Sequence, residues 1–288
     1  MVPVLVVLFV GVLALGGWAW WRGVLTALPV RQHCTATAIG RSTELDPEQA
    51  GNAAIIAAVA MRRGLPGRAA TIGIATAMQE SKLVNLPGGD RDSIGLFQQR
   101  PSQGWGTPAQ IRDPVYASNA FYDVLVKVEG YENLPITKAA QTVQRSAFPS
   151  AYADHEPEAR ILASTLTGYS PAGLTCVLAG IGSLPAQAAD AGGLTPRARA
   201  LARAASNEAG RSGSAVAGEP TAVRFDLSGK GTTTAGWALA EWAVARAAAL
   251  QIVSVETDGR RWERSRADGA WAVTRGSAPA GSVVVRVA

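Results

Sequence analysis

Glu80 closes an apolar stretch and opens a polar one, in the segment "AMQESKLVNLPGGDRDSIGLFQQRPSQGWG", Ala77–Gly106. A carboxylate at the lip of an apolar face loses water, which disfavours the charged form, so such a group can hold a proton and deliver it as a general acid. Gly88, Gly89 and Gly95 let backbone come close to a ligand. Gln98, Gln99, Gln103 and Trp105 add amide hydrogen bonding and an aromatic face. Together these are the parts of a sugar-binding groove with a proton donor in it. Asp90 and Asp92 are candidate second acids, although two aspartates flanking Arg91 among glycines also read as a solvated turn.

Helices must position these groups. In "DPEQAGNAAIIAAVAMRRG", Asp46 is a cap, Pro47 the first helical residue, Gln49 a capping-box partner and Gly64 a stop. The next helix, "PGRAATIGIATAMQES", spaces Ile72, Thr76 and Glu80 four apart, so the acid emerges from a packing face. Asp113-Pro114 repeats the cap-plus-proline signal before "VYASNAFYDVLVKVEG". "PITKAAQTVQRSAF" and "PEARILASTLTG" read as two more amphipathic helices. Short connections and no strand signal predict an all-α domain over residues 34–176. Tyr116 and Tyr152 are candidate sugar contacts that read more readily as core or rim aromatics.

Glu80-Ser81 followed by Gly95-Leu96-Phe97-Gln98-Gln99 resembles the two leading motifs of the lysozyme-like lytic transglycosylase family, over roughly Asp46 to Gly168. The resemblance implies a lysozyme-like fold and cleavage of the bond between N-acetylmuramic acid and N-acetylglucosamine in peptidoglycan glycan strands. Glu80 would protonate the linking oxygen and then act as base while the sugar's own 6-hydroxyl closes an anhydro ring. Ser81 would orient the acid, and Phe97, Gln98 and Gln99 would line the cleft. The family's Tyr-Asn-Ala-Gly motif is absent; "QTVQRSAF" offers Gln144, Arg145 and Ser146 in its place. A nucleophile supplied by the substrate explains why one carboxylate suffices where ordinary glycosidases need two. The alternatives are a muramidase using Asp90 or Asp92 to position water, and a non-catalytic peptidoglycan-binding scaffold. No cofactor is implied.

Outside that segment, the uncharged run Val2–Trp21 has about the 20 residues a transmembrane helix needs, and its terminal tryptophans suit an interfacial belt. It predicts an uncleaved anchor over residues 1–22 of a single-pass cell-membrane protein. Arg22 and Arg31 favour a cytoplasmic body by the positive-inside rule. Cys34 and Cys176, the two cysteines of the chain, argue for the extracytoplasmic side if they are bridged, and are otherwise two buried thiols. The expectation is a disulfide and an extracytoplasmic body. A net charge of +5, almost all arginine, suits an anionic wall polymer. No basic cluster is interleaved with aromatics, which argues against nucleic acid. A partner in a secretion or conjugation apparatus is a further expectation.

Residues 177–195 read as a linker, and residues 196–288 as a small α+β accessory domain. Within it, "AGWALAEWAVARAAALQIVSVETDGRRWERSRADGAW" followed by "GSVVVRVA" resembles the closing half of zinc-dependent D-Ala-D-Ala peptidase-like domains. Asp226 matches a ligand aspartate there, but Glu219, Val284 and Arg286 stand where histidines would. His33 and His155, the only histidines, lie elsewhere, so no metal is expected.

Overall fold

The computed structural model describes residues 31–144, 149–276 and 278–288. It begins with a β-hairpin, β1 (His33–Ala38) and β2 (Arg41–Leu45). Ile39 and Gly40 form its turn, with φ of 49° and 70°; two positive φ values give the turn whose twist suits a hairpin. β3 (Leu174–Val177) adds to the other side of β1, antiparallel, giving the order β2-β1-β3. Cys34 lies directly opposite Cys176 in this ladder, and the two are joined by a disulfide across 142 positions of sequence. In the chain-entropy model a loop of that size stabilises the fold by about 5 kcal/mol.

The sheet corrects the all-α expectation: the protein is α+β, with two sheets among the described residues. The strand signal in β1 is a period of two, with Cys34, Ala36 and Ala38 buried and the residues between them more exposed. Small residues carry the buried positions, so the hydropathy contrast that marks a strand is weak.

The central element is α1 (Pro47–Arg62), buried without a break from Ala50 to Ala60. A helix apolar on every face must be surrounded. Around it pack α2 (Gly67–Ser81), α4 (Pro114–Leu125) and α6 (Glu156–Leu166), with α3 (Pro108–Ile111) and α5 (Ile136–Gln144) at the periphery. Gly73 of α2 lies against both α1 and α4, through Ile56 and Tyr122. A Cβ there would lie 2.7 Å from the Tyr122 hydroxyl, which itself donates to the Ile56 carbonyl.

From residue 196 onward come α7 (Pro196–Ala204), a π-helical turn (Ala205–Ala209), α8 (Thr232–Ala245) and α9 (Ala247–Leu250). Six strands form the second sheet in the order β4-β5-β9-β6-β7-β8. They are β4 (Ser214–Val216), β5 (Glu219–Asp226), β6 (Ile252–Thr257), β7 (Arg260–Glu263), β8 (Ala272–Val273) and β9 (Ser282–Val287). Helix α8 packs on α1 as well as on β6 and β9, so its faces are buried almost throughout. Residues 32–288 accordingly form one compact unit.

The joint between the two parts is made at the edge of β3 that turns away from β1. The indoles of Trp271 and Trp262 donate to the carbonyls of Leu174 and Cys176, at 2.9 and 3.3 Å. Glu241 of α8 accepts from the Gly173 N–H at 2.7 Å and the Leu174 N–H at 3.4 Å. Burial pushes the Glu241 carboxyl well above the usual carboxylate range, against the pull of those two N–H groups. Its native state therefore keeps a proton that the unfolded chain releases above the ordinary value of 4.5. Stability from this group is complete below that pH and is lost as pH rises through the raised native value. Glu241→Gln, which cannot titrate, is expected to melt higher than wild type at pH 8, with the gap closing toward pH 4. Calorimetry at the two pH values measures it, at on the order of 2–4 °C per kcal/mol relieved.

Among the described residues no helix is long and apolar enough to cross a membrane. The 14 residues of α8, apolar as they are, reach only about 21 Å against a hydrocarbon core of about 30 Å, and protein encloses them. Among the described residues the expectation of a transmembrane helix and single-pass membrane localisation is corrected accordingly; the run Val2–Trp21, on which it rests, lies outside them.

Candidate active site

Helix α2 ends because Lys82 and Leu83 both adopt left-handed φ, 55° and 60°. Two such residues in succession are costly without support. It comes from α1, whose Gln49 and Asn52 amides donate to the Lys82 and Leu83 carbonyls at 2.9 and 2.8 Å. Glu80 is thereby fixed on the last helical turn.

A 3₁₀ turn, Pro149–His155, docks against that turn through two side chains. Tyr152 is buried and its hydroxyl donates to Glu80 Oε1 at 2.6 Å. Next to it, His155 Nε2 and Gln79 Oε1 are 3.1 Å apart. Glu80 itself is only half-buried. One of its oxygens is thus oriented by a phenol, and a carboxyl so held can present the other to a substrate. Of the sequence-derived candidates among the described residues, Tyr152 touches the acid. His155 and Gln79 carry no local signal, since they pair across 76 positions.

Ser81 does something other than orient Glu80. Its hydroxyl lies 2.7 Å from the Leu96 carbonyl and 3.0 Å from that of Ala77, stitching the Gly-Leu-Phe-Gln-Gln loop to the helix end. Phe97 is fully buried and stacks on Phe121, ring centroids 4.7 Å apart, so it anchors the loop in the core. Gln99 is buried too and donates to the Ala117 carbonyl. Gln98, at φ 46°, donates to the Gly95 carbonyl and fills the space a Cβ at Gly89 would need. Gly95, at φ 79°, tolerates no side chain, since a Cβ would meet the Ile111 carbonyl at 2.7 Å. The motif's glutamines and phenylalanine thus shape the loop from within.

Gln144, the last residue of α5, donates to the Phe97 carbonyl at 2.7 Å. It also lines a cleft of about 410 Å³ with Gln103, Gly104, Trp105, Val124 and Val143. Tyr116 lies outside that lining, packed under Gly106. Arg145 and Ser146 fall outside the described residues.

The two loop aspartates separate clearly. Asp90 is exposed, with only a 3.9 Å approach to Arg91. Asp92 accepts from the Ser102 N–H at 2.9 Å and from Arg100 Nε at 2.6 Å. Ser102 foremost, then Arg100, hold its carboxyl well below the usual carboxylate range. A carboxylate so committed is a brace for the loop that carries Trp105. Asp92→Asn is expected to loosen that loop and lower the melting temperature by about 2–4 °C, read by calorimetry. An unchanged melt in the variant would show that the brace is dispensable.

In the second sheet, Arg286 reaches Glu219 at 2.7 Å and also pairs with Glu256. Of the positions the peptidase-like resemblance names, Arg286 and Glu219 thus pair with each other, while Asp226 accepts from the Ser282 hydroxyl at 2.8 Å. Among the described residues no group of three or more His, Cys, Asp or Glu side chains could hold a metal ion.

No protein-family model matches this chain, and no curated protein matches it either.

Proposed function

We propose that the protein is a peptidoglycan lytic transglycosylase in which Glu80 acts first as general acid and then as general base. The hydrogen bond from Tyr152 to Glu80 carries this reading, because it fixes a half-exposed carboxyl at a helix end with one oxygen left for a substrate. Glu80 gives its proton to the glycosidic oxygen, the bond to the anomeric carbon of N-acetylmuramic acid breaks, and the N-acetylglucosamine alcohol leaves. The carboxylate then takes the proton of the 6-hydroxyl as that oxygen bonds to the anomeric carbon, which returns Glu80 to its acid form and closes the anhydro ring. Protons are the only species the protein must move. The commitment of Asp92 to Arg100 and Ser102 weighs against a water-activating second acid there.

Peptidoglycan incubated with the purified full chain and resolved by mass spectrometry tests the reading. Anhydromuropeptides are the expected product. Reducing-end muropeptides would replace the lyase by a muramidase, and no release at all by the wild-type chain would leave a glycan-binding scaffold.

A further inference from the structure

We propose that the cleft beside Trp105 is a saccharide subsite of its own, which seats one hexosamine ring of a glycan strand against the indole. The inference rests on the glycan reading above but concerns residues other than the acid and its tyrosine.

The cleft, at about 410 Å³, falls within the roughly 300–1,000 Å³ of small-molecule sites. Its lining has a particular chemistry. Val124 and Val143 are apolar, Gln103 and Gln144 bring amides, Trp105 brings an aromatic face, and among the described residues no charged side chain lines the cleft. An anionic polymer or an acidic peptide would need a cation to meet its charge. A pyranose needs a flat apolar surface for its C–H face and amides for its hydroxyls.

Trp105 is also held in place before any ligand arrives. On one side it packs against the core. The residues flanking it are Gly104 and Gly106, at φ 80° and 132°. A Cβ on Gly106 would lie 2.7 Å from the Tyr116 hydroxyl, whereas one on Gly104 would meet nothing within 4 Å. The loop is therefore pressed onto Tyr116 on one side of the indole and open on the other. Asp92 fixes the preceding turn through Ser102. Ordering the platform in advance removes part of the entropy cost of binding. Finally, Gln144 ties the cleft to the Phe97 carbonyl, and Ser81 ties the same loop to the turn that carries Glu80.

Calorimetric titration of the full-length Glu80→Gln chain with chitotetraose, a soluble glycan of N-acetylglucosamine, tests the subsite without turnover. Adding Trp105→Ala is expected to weaken binding at least tenfold, and Trp105→Phe less. If Trp105→Ala lowers the melting temperature sharply, Gln103→Ala, whose side chain is exposed, decides instead, with a loss of about threefold. Undiminished chitotetraose affinity in the variant that decides would overturn the subsite, as would no chitotetraose binding by the Glu80→Gln parent. Preference for an acidic tetrapeptide over the sugar would make the cleft a peptide site and also overturn it. Trp105-dependent binding by a chain that releases nothing from peptidoglycan would uphold the subsite while removing the lyase reading, so the two fail separately.

Discussion

Replacing Glu80 with glutamine is expected to lower anhydromuropeptide release by about 10²–10⁴-fold, the usual contribution of a positioned general acid or base. The substitution keeps the shape and one carbonyl oxygen, so Tyr152 retains an acceptor and the docking of the Pro149–His155 turn is preserved. Only proton delivery and retrieval are lost. Tyr152→Phe makes the complementary test. It removes the hydroxyl that orients Glu80 but leaves the acid, so a smaller fall, on the order of tenfold, is expected from misorientation. The order of the two effects matters more than either alone. If Tyr152→Phe were as damaging as Glu80→Gln while folding normally, the phenol itself would be moving the proton. A Glu80→Gln enzyme with undiminished turnover would remove Glu80 from the chemistry, whatever the tyrosine does.

The part of this site that was legible in the sequence is the part set by local structure. Asp46-Pro47 and Asp113-Pro114 announce helix starts, and α1 and α4 do begin at Pro47 and Pro114. The stop after Glu80 is a different matter. Lys82 and Leu83 carry no glycine signal and adopt left-handed backbone because side chains of another helix hold their carbonyls. Whether Phe97 faces the cleft or the core depends on Phe121, which belongs to α4, and Tyr152 meets Glu80 across 72 positions. Burial of this kind is a tertiary property that a loop motif does not encode. The first sheet escaped for a related reason, since the inward residues of its central strand β1 are alanine and cysteine and its closing strand comes long after the hairpin.

Expressed without its second part, as residues 32–178, the protein is expected not to fold cooperatively, although that stretch contains the acid, its tyrosine and the disulfide. The edge of β3 has its backbone groups bonded by Glu241, Trp271 and Trp262, which lie 67–97 positions further along the chain. Water can replace those hydrogen bonds at modest net cost. It cannot replace the apolar cover. Trp262 and Trp271 together bury on the order of 300–500 Å², which at about 25 cal/mol per Å² is on the order of 10 kcal/mol as an upper bound. That is comparable with the roughly 5–15 kcal/mol of net stability of a whole domain. Helix α1, buried along its middle on every face, would lose α8 as well. The packing is also too close to be casual: a Cβ on Gly168 would lie 1.9 Å from the Thr234 carbonyl. The disulfide does not rescue the fragment, because it limits the unfolded ensemble without covering native apolar surface. Thermal unfolding followed by circular dichroism, with amide dispersion in a heteronuclear NMR spectrum, reads the outcome. A sharp melt and dispersed amides from the fragment would mean that the second part is an appended domain, and that the indoles at β3 are contact without consequence.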